Sequence, residues 1–248
     1  TLEQYKNRLL EEIDEAFIAA GPDTVEAFIC ETVSGSSLGC QTSIPGYLEG
    51  VKKICDKYGA LFMLDEVMCG LGRCGTYHAW EQFLPDGVYP DIQTVGKTIG
   101  SGYVTLSGIL ISPKVKNAIV NGSGMIVGSQ TFHCHSFNCR VALAVQKKIF
   151  RENLIQNSKD MGEYLSEQLE EKIGKHKYVG FLKGDGLFRG VEFVQNKETK
   201  EPFDPKIQFS MRLLEKCFAN GLTIMANHGC YKGDSGDIII ISPAFTIK

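Results

Sequence analysis

The chain has 248 residues, 43% of them hydrophobic and 22% charged, which supports a sizeable core and argues against a disordered chain. Its net charge of -3 leaves no electrostatic footprint for nucleic acid or an anionic membrane, so a small molecule or a protein is the default partner. No apolar run is long enough to span a bilayer.

The opening residues Thr1 to Tyr5 are polar and do not read as a signal peptide. The absence of an initial Met suggests a processed chain or a segment of something longer. Residues 3–20 read as an amphipathic helix, with Leu9, Leu10, Ile13 and Phe17 at helical spacing. Gly21-Pro22-Asp23 breaks it, and residues 25–30 fit a short buried strand. A Ser/Gly-rich loop over 34–46 leads into a second helix over 45–58, ended by Gly59. Residues 60–65 form the least ambiguous buried strand. Two further strands are expected at 91–96 and 106–111. A long helix follows over about 138–172, with a kink near Asn153 and Asn157.

The alternation of helix and strand with short connections predicts βαβ units and a mostly parallel sheet flanked by helices. After Gly174 the pattern changes. Residues 181–193 and 237–241 read as strands around a helix at 205–219, a smaller α+β unit. The expected division is 1–173 and 174–248.

Nine cysteines in a chain of this length, an odd number with no secretory signal, read as reduced thiols. His133, Cys134, His135 and Cys139 form a local cluster. No Cys-x-x-Cys and no second pair at matching distance accompany it, so no metal is expected there, only buried thiols and histidines around a loop.

Parallel sheets bind ligands at the carboxyl ends of their strands. Asp65 ends one strand and Lys97 follows another, in a turn flanked by Gly96, Gly100 and Gly102. A lysine amine can condense with an aldehyde, and a carboxylate can hold a pyridinium nitrogen protonated. Alone, each has a plainer reading: a solvated surface lysine and a helix-capping aspartate.

Residues 62–101, from Phe62-Met63-Leu64-Asp65-Glu66-Val67 through Gly96-Lys97-Thr98, resemble the cofactor signature of the class III (omega-type) aminotransferases. The resemblance extends to Glu31-Thr32-Val33, to Pro45-Gly46-Tyr47, to Ser129-Gln130-Thr131-Phe132 and to residues 184–192. It implies pyridoxal 5'-phosphate as cofactor, on the type I fold of such enzymes with a smaller C-terminal α+β domain. Lys97 would form the internal aldimine and shuttle the proton. Asp65 would pair with the ring nitrogen, and Val67 would cover one ring face. Thr131 would bind the cofactor phosphate in the partner subunit's site, within a homodimer. Glu31 matches an acid that in several members pairs with a substrate-carboxylate arginine; an ordinary strand-end salt bridge is the equal alternative.

The resemblance also shows departures. Gln93 replaces an apolar or small residue and is expected to face outward. Thr32 replaces a proline, and Ser136 stands where a proline commonly follows the histidine. The family's N-terminal phosphate turn and last helix have no counterpart, so the chain reads as truncated at both ends.

The expected function is amino-group transfer between an amine or amino acid and a keto acid; a decarboxylating or racemising relative shares the same residues. A non-catalytic remnant acting as a dimerisation or regulatory partner is the alternative. A lysine-based aldolase without cofactor leaves Asp65 unexplained. The expected location is cytoplasmic, or mitochondrial if an N-terminal address is missing.

Overall fold

The computed structural model describes residues 1–128 and 130–248. The chain forms two compact units. The first comprises 1–32, 43–71 and 78–151, and the second 33–42, 72–77 and 152–248.

The first unit opens with α1 (Leu2–Ala20), whose N-terminal amides are closed by a capping box between Thr1 and Gln4. A second helix, α2 (Tyr47–Tyr58), ends at Gly59, whose φ of 75° closes the helix in a left-handed cap that few other residues accept. Strands β1 (Ala27–Glu31), β4 (Leu61–Asp65), β5 (Ile92–Val95) and β6 (Gly108–Ile111) make one sheet in the order β1-β4-β5-β6. The pairs β1/β4 and β4/β5 are parallel, and β6 joins antiparallel. Phe17 of α1, Leu48, Val51 and Cys55 of α2, and Phe62 and Leu64 of β4 form one core. Along the apolar run of β4, Phe62 and Leu64 are buried in this core and Leu61 and Met63 on the other face are half-buried. Strand β1 is less covered than its sequence suggests: it lies at the sheet edge and exposes Ile29. Helices α3 (Pro113–Asn121) and α4 (Ser136–Arg151) complete the unit. The helix α3, started by Ser112, is absent from the sequence reading.

In the second unit, β2 (Val33–Ser34) and β3 (Gln41–Thr42) form a short ribbon inside the predicted loop. The predicted long helix is two helices. Asn153, with a left-handed φ of 52°, separates α4 from α5 (Leu154–Ile173). The predicted strand 181–193 is a hairpin of β7 (Val179–Asp185) and β8 (Phe188–Phe193) turning at Gly186. After α6 (Phe209–Ala219) come β9 (Met225–Tyr231) and β10 (Ser235–Ile241), giving an antiparallel sheet β7-β8-β10-β9. Val179, Val191, Phe193, Phe203 and Ile239 form its core.

Arg73 ties this unit together. Its guanidinium donates to the carbonyls of Leu187 (3.2 Å) and Pro243 (2.7 Å) and lies 4.4 Å over the Phe245 ring. Burial pushes its pKa down to about 10. No disulfide joins any of the nine cysteines. Among the described residues no helix is long and apolar enough to cross a membrane.

Candidate active site

Parallel pairing brings the carboxyl ends of β1, β4 and β5 out together. Glu31 is the register partner of Asp65, and Asp65 of Thr94. Asp65 is half-buried. One carboxylate oxygen, Oδ1, accepts the Val67 amide at 2.9 Å and the Thr94 hydroxyl at 2.9 Å. Both donors converge on that oxygen, and no donor among the described residues meets Oδ2. The carboxylate is therefore fixed by one oxygen and open at the other.

Lys97 follows β5 and begins a tight turn over Lys97–Ile99. Its side chain is exposed and takes no ion pair or hydrogen bond among the described residues. Its φ of 39° lies in the left-handed region, an uncommon conformation for a lysine. The turn is held from within: the Lys97 carbonyl accepts the amides of Gly100 (3.2 Å) and Ser101 (2.9 Å). It is also held from α4, where the Gln146 amide group donates to the carbonyls of Thr98 (3.1 Å) and Ile99 (3.2 Å). Gln146 was not singled out in the sequence, because nothing local links it to a turn on another element.

Val67 sits against the same turn. A β-carbon at Gly96 would lie 3.0 Å from Val67 Cγ1, so glycine permits this approach. Asp65, Val67 and Lys97 thus belong to two neighbouring strand ends.

Glu66 points the other way, into the core, and is almost fully buried. Its Oε1 accepts the Thr32 hydroxyl (2.8 Å) and the Trp80 amide (2.7 Å). Its Oε2 accepts the Ala79 amide (2.8 Å) and the Gln93 side-chain amide (2.8 Å). Burial pushes its pKa up, while the donors of Thr32, Ala79 and Trp80 act against that. Gln93 therefore does not face outward. It is buried, held between Glu66 and the Trp80 indole, which donates to Gln93 Oε1 at 3.2 Å. Thr32 and Gln93, two departures noted in the sequence, meet on one carboxylate.

Glu31 is half-buried at the end of β1, beside Asp65. Thr131 lies exposed in the turn 131–134, and no hydrogen bond ties it to Asp65, Val67 or Lys97 among the described residues. That turn is organised by Gln130, whose side chain accepts the Phe132 amide at 2.7 Å and whose carbonyl accepts the His133 amide at 2.9 Å. Ser129, part of the same motif, is outside the described residues. The cluster of His133, Cys134, His135 and Cys139 is exposed rather than buried, because it occupies this turn and the first turn of α4. Among the described residues no group of three such side chains is placed to hold a metal ion.

The sequence profile of the family described as aminotransferase class-III matches residues 1–248. An uncharacterized aminotransferase of Schizosaccharomyces pombe is 40% identical over 247 residues, covering 100% of this chain and 53% of that protein. A transaminase from directed evolution by ancestral reconstruction superimposes with a TM-score of 0.91 at 33% identity, covering 100% of this chain and 53% of that one. An amine transaminase from an uncultivated Pseudomonas species, solved in its pyridoxal-phosphate-bound form, gives a TM-score of 0.89 at 29% identity, covering 100% of this chain and 54% of that one. The chain thus spans about half the length of the relatives it matches. It has the α/β architecture of the type I pyridoxal-phosphate fold, and it belongs to the class III aminotransferases, a pyridoxal-phosphate-dependent family.

Proposed function

We propose that the protein carrying this chain is a pyridoxal-phosphate-dependent aminotransferase, moving an amino group between an amine or amino acid and a keto acid. The observation that carries this reading is a pair of groups at adjacent strand ends. Asp65 is anchored through Oδ1 with Oδ2 left open, and the Lys97 amine is exposed and unpaired among the described residues. A carboxylate, a primary amine and an aliphatic face at Val67 fit the cofactor's ring nitrogen, carbonyl carbon and ring surface.

When bound, the cofactor supplies a carbonyl carbon open to amines and a protonated ring that draws electrons from adjacent bonds. Asp65 Oδ2 would keep the proton on the ring nitrogen. Val67 would cover one ring face and exclude water from it. Lys97 Nζ would hold the cofactor and then carry the proton to and from the substrate carbon, the general acid–base role. Its left-handed turn, buttressed by Gln146, fixes the amine's point of departure.

Thr131, exposed, would serve the phosphate in the partner subunit of a homodimer, the commonest closed assembly. Glu31, beside Asp65, would stand on the substrate side. Residues 1–173 and 174–248 would form parts of a large cofactor domain and a small C-terminal domain. Nine cysteines, an odd number without a disulfide among them, support a reducing compartment, the cytoplasm.

The test is the visible absorbance of the longest native form of the protein. A band that borohydride abolishes and Lys97→Ala lacks is expected, and loss of that band on adding amines would identify donors. A colourless protein that takes up no added pyridoxal phosphate would refute the enzyme reading and favour a non-catalytic partner.

A further inference from the structure

Glu66 is a charged side chain buried next to the proposed cofactor carboxylate, and the chemistry proposed above does not use it. Its four hydrogen bonds arrive from three separate stretches of chain. Thr32 follows β1, Gln93 belongs to β5, and Ala79 and Trp80 close the loop that leaves β4. An ionised carboxylate has about four lone-pair sites and no proton to donate, so this donor set matches the anion and not a neutral amide. An apolar residue of similar size would leave two backbone amides buried without acceptors, at a cost of about 1–3 kcal/mol each.

The peptide joining Asp65 to Glu66 is gripped from both sides. The Thr32 amide donates to the Asp65 carbonyl at 3.4 Å, and the Glu66 amide donates to the Thr94 carbonyl at 3.0 Å. On one side of this peptide Glu66 turns inward to its four donors. On the other, Asp65 turns toward the strand ends, held by the amide of Val67, the residue after Glu66. The direction of the chain at Val67 depends on where Glu66 is anchored. So does the packing of Val67 against the Gly96–Lys97 turn.

We infer that Glu66 is a positioning residue: by clamping Thr32, Gln93 and the Ala79–Trp80 turn to one buried carboxylate, it sets the Val67 amide and thereby aims the open oxygen of Asp65. The inference deepens the proposed function and rests on it, since Asp65 needs aiming only if a ring nitrogen meets it.

The experiment uses the longest native form of the protein with Glu66→Gln, Glu66→Gln/Gln93→Glu and Thr32→Val. Two quantities are read. The first is amide hydrogen exchange at Val67, Ala79 and Trp80 without cofactor. The second is the dissociation constant of added pyridoxal phosphate, from its absorbance. Glu66→Gln should speed exchange at Val67 about tenfold and weaken the cofactor about tenfold, the scale of one unsatisfied buried group. The double variant restores the hydrogen bond between positions 66 and 93 and still accepts the Trp80 indole, but leaves the Ala79 amide without its acceptor, so it should recover only part of both losses. If Glu66→Gln does not fold, Thr32→Val, which removes one hydroxyl donor, should move both quantities the same way by about threefold.

A lower melting temperature with unchanged exchange at Val67 and unchanged cofactor affinity would reduce Glu66 to a packing role and overturn the inference. A wild-type protein that takes up no cofactor would defeat the proposed function instead, and exchange at Val67 would still decide whether the clamp exists.

Discussion

A left-handed φ of 39° at Lys97 costs a residue with a β-carbon about 1 kcal/mol that glycine does not lose. The side chain is exposed and returns no packing for that cost. The turn is nevertheless held by two internal bonds and by Gln146. A strained, well-supported lysine at a strand end is consistent with a site kept for its amine rather than for stability. Two variants separate the strain from the chemistry. Lys97→Ala and Lys97→Gly should both lose the visible band. Without cofactor, the glycine variant should exceed the alanine variant in stability by about 1 kcal/mol, seen as a higher urea midpoint at equal slope. Equal midpoints would mean the turn is relaxed in solution. Asp65 was legible in the sequence because it ends the apolar run 60–64, and Lys97 because it follows an expected strand in a glycine-rich turn; the resemblance over 62–101 joined the two. Glu66, Gln93 and Thr32 were not. Their meaning lies in a shared carboxylate, and Gln93 by itself reads as a polar residue facing water. The buttress from Gln146 was hidden for the same reason, lying 48 positions from Thr98.

Helix α5 lies close to the β7–β8 hairpin, and Gly162 is the point of contact. A β-carbon there would overlap the backbone of Gly186, which has no side chain to swing aside. The Arg189 guanidinium fastens the same junction, donating to the carbonyls of Gly162 at 3.0 Å and Gly184. Gly162→Ala should therefore destabilise the protein by about 3 kcal/mol despite the better helix propensity of alanine, measured as a drop in urea midpoint or melting temperature. A variant as stable as the parent would mean that helix and hairpin separate in solution. Elements with a full apolar face, α1, α2 and β4, could be placed from periodicity alone. The kink expected near Asn153 is a full break: the left-handed φ of 52° at Asn153 ends one helix and starts the next. Strand β9 escaped notice because Asn227, His228 and Gly229 interrupt its alternation; pairing with the apolar β10 makes it a strand. Helix α3, short and without a buried residue, offered no stripe to detect.

In the first unit, β6 closes the described sheet as an edge strand, yet Ile109, Leu110 and Ile111 are all exposed on it. Val120, Ile126, Val127, Phe132 and Phe137 add further exposed apolar side chains in the residues that follow. Soluble monomers rarely leave such a run uncovered, and an unprotected apolar edge strand invites pairing with another chain. The chain spans about half the length of its relatives, so both the rest of a longer protein and a second copy are candidates to cover this surface. The 248 residues purified alone should therefore elute well above 27.3 kDa, or precipitate as concentration rises. Ile109→Lys with Ile111→Lys, two substitutions on one face of the strand, should shift that material toward monomer. In the longest native form of the protein the same pair should do the opposite of help, lowering the melting temperature because the lysines would then be forced into a covered interface. A 248-residue chain that stays monomeric at high micromolar concentration and binds no hydrophobic dye would show that these side chains find cover within their own unit. The lysine pair would then have no association to relieve.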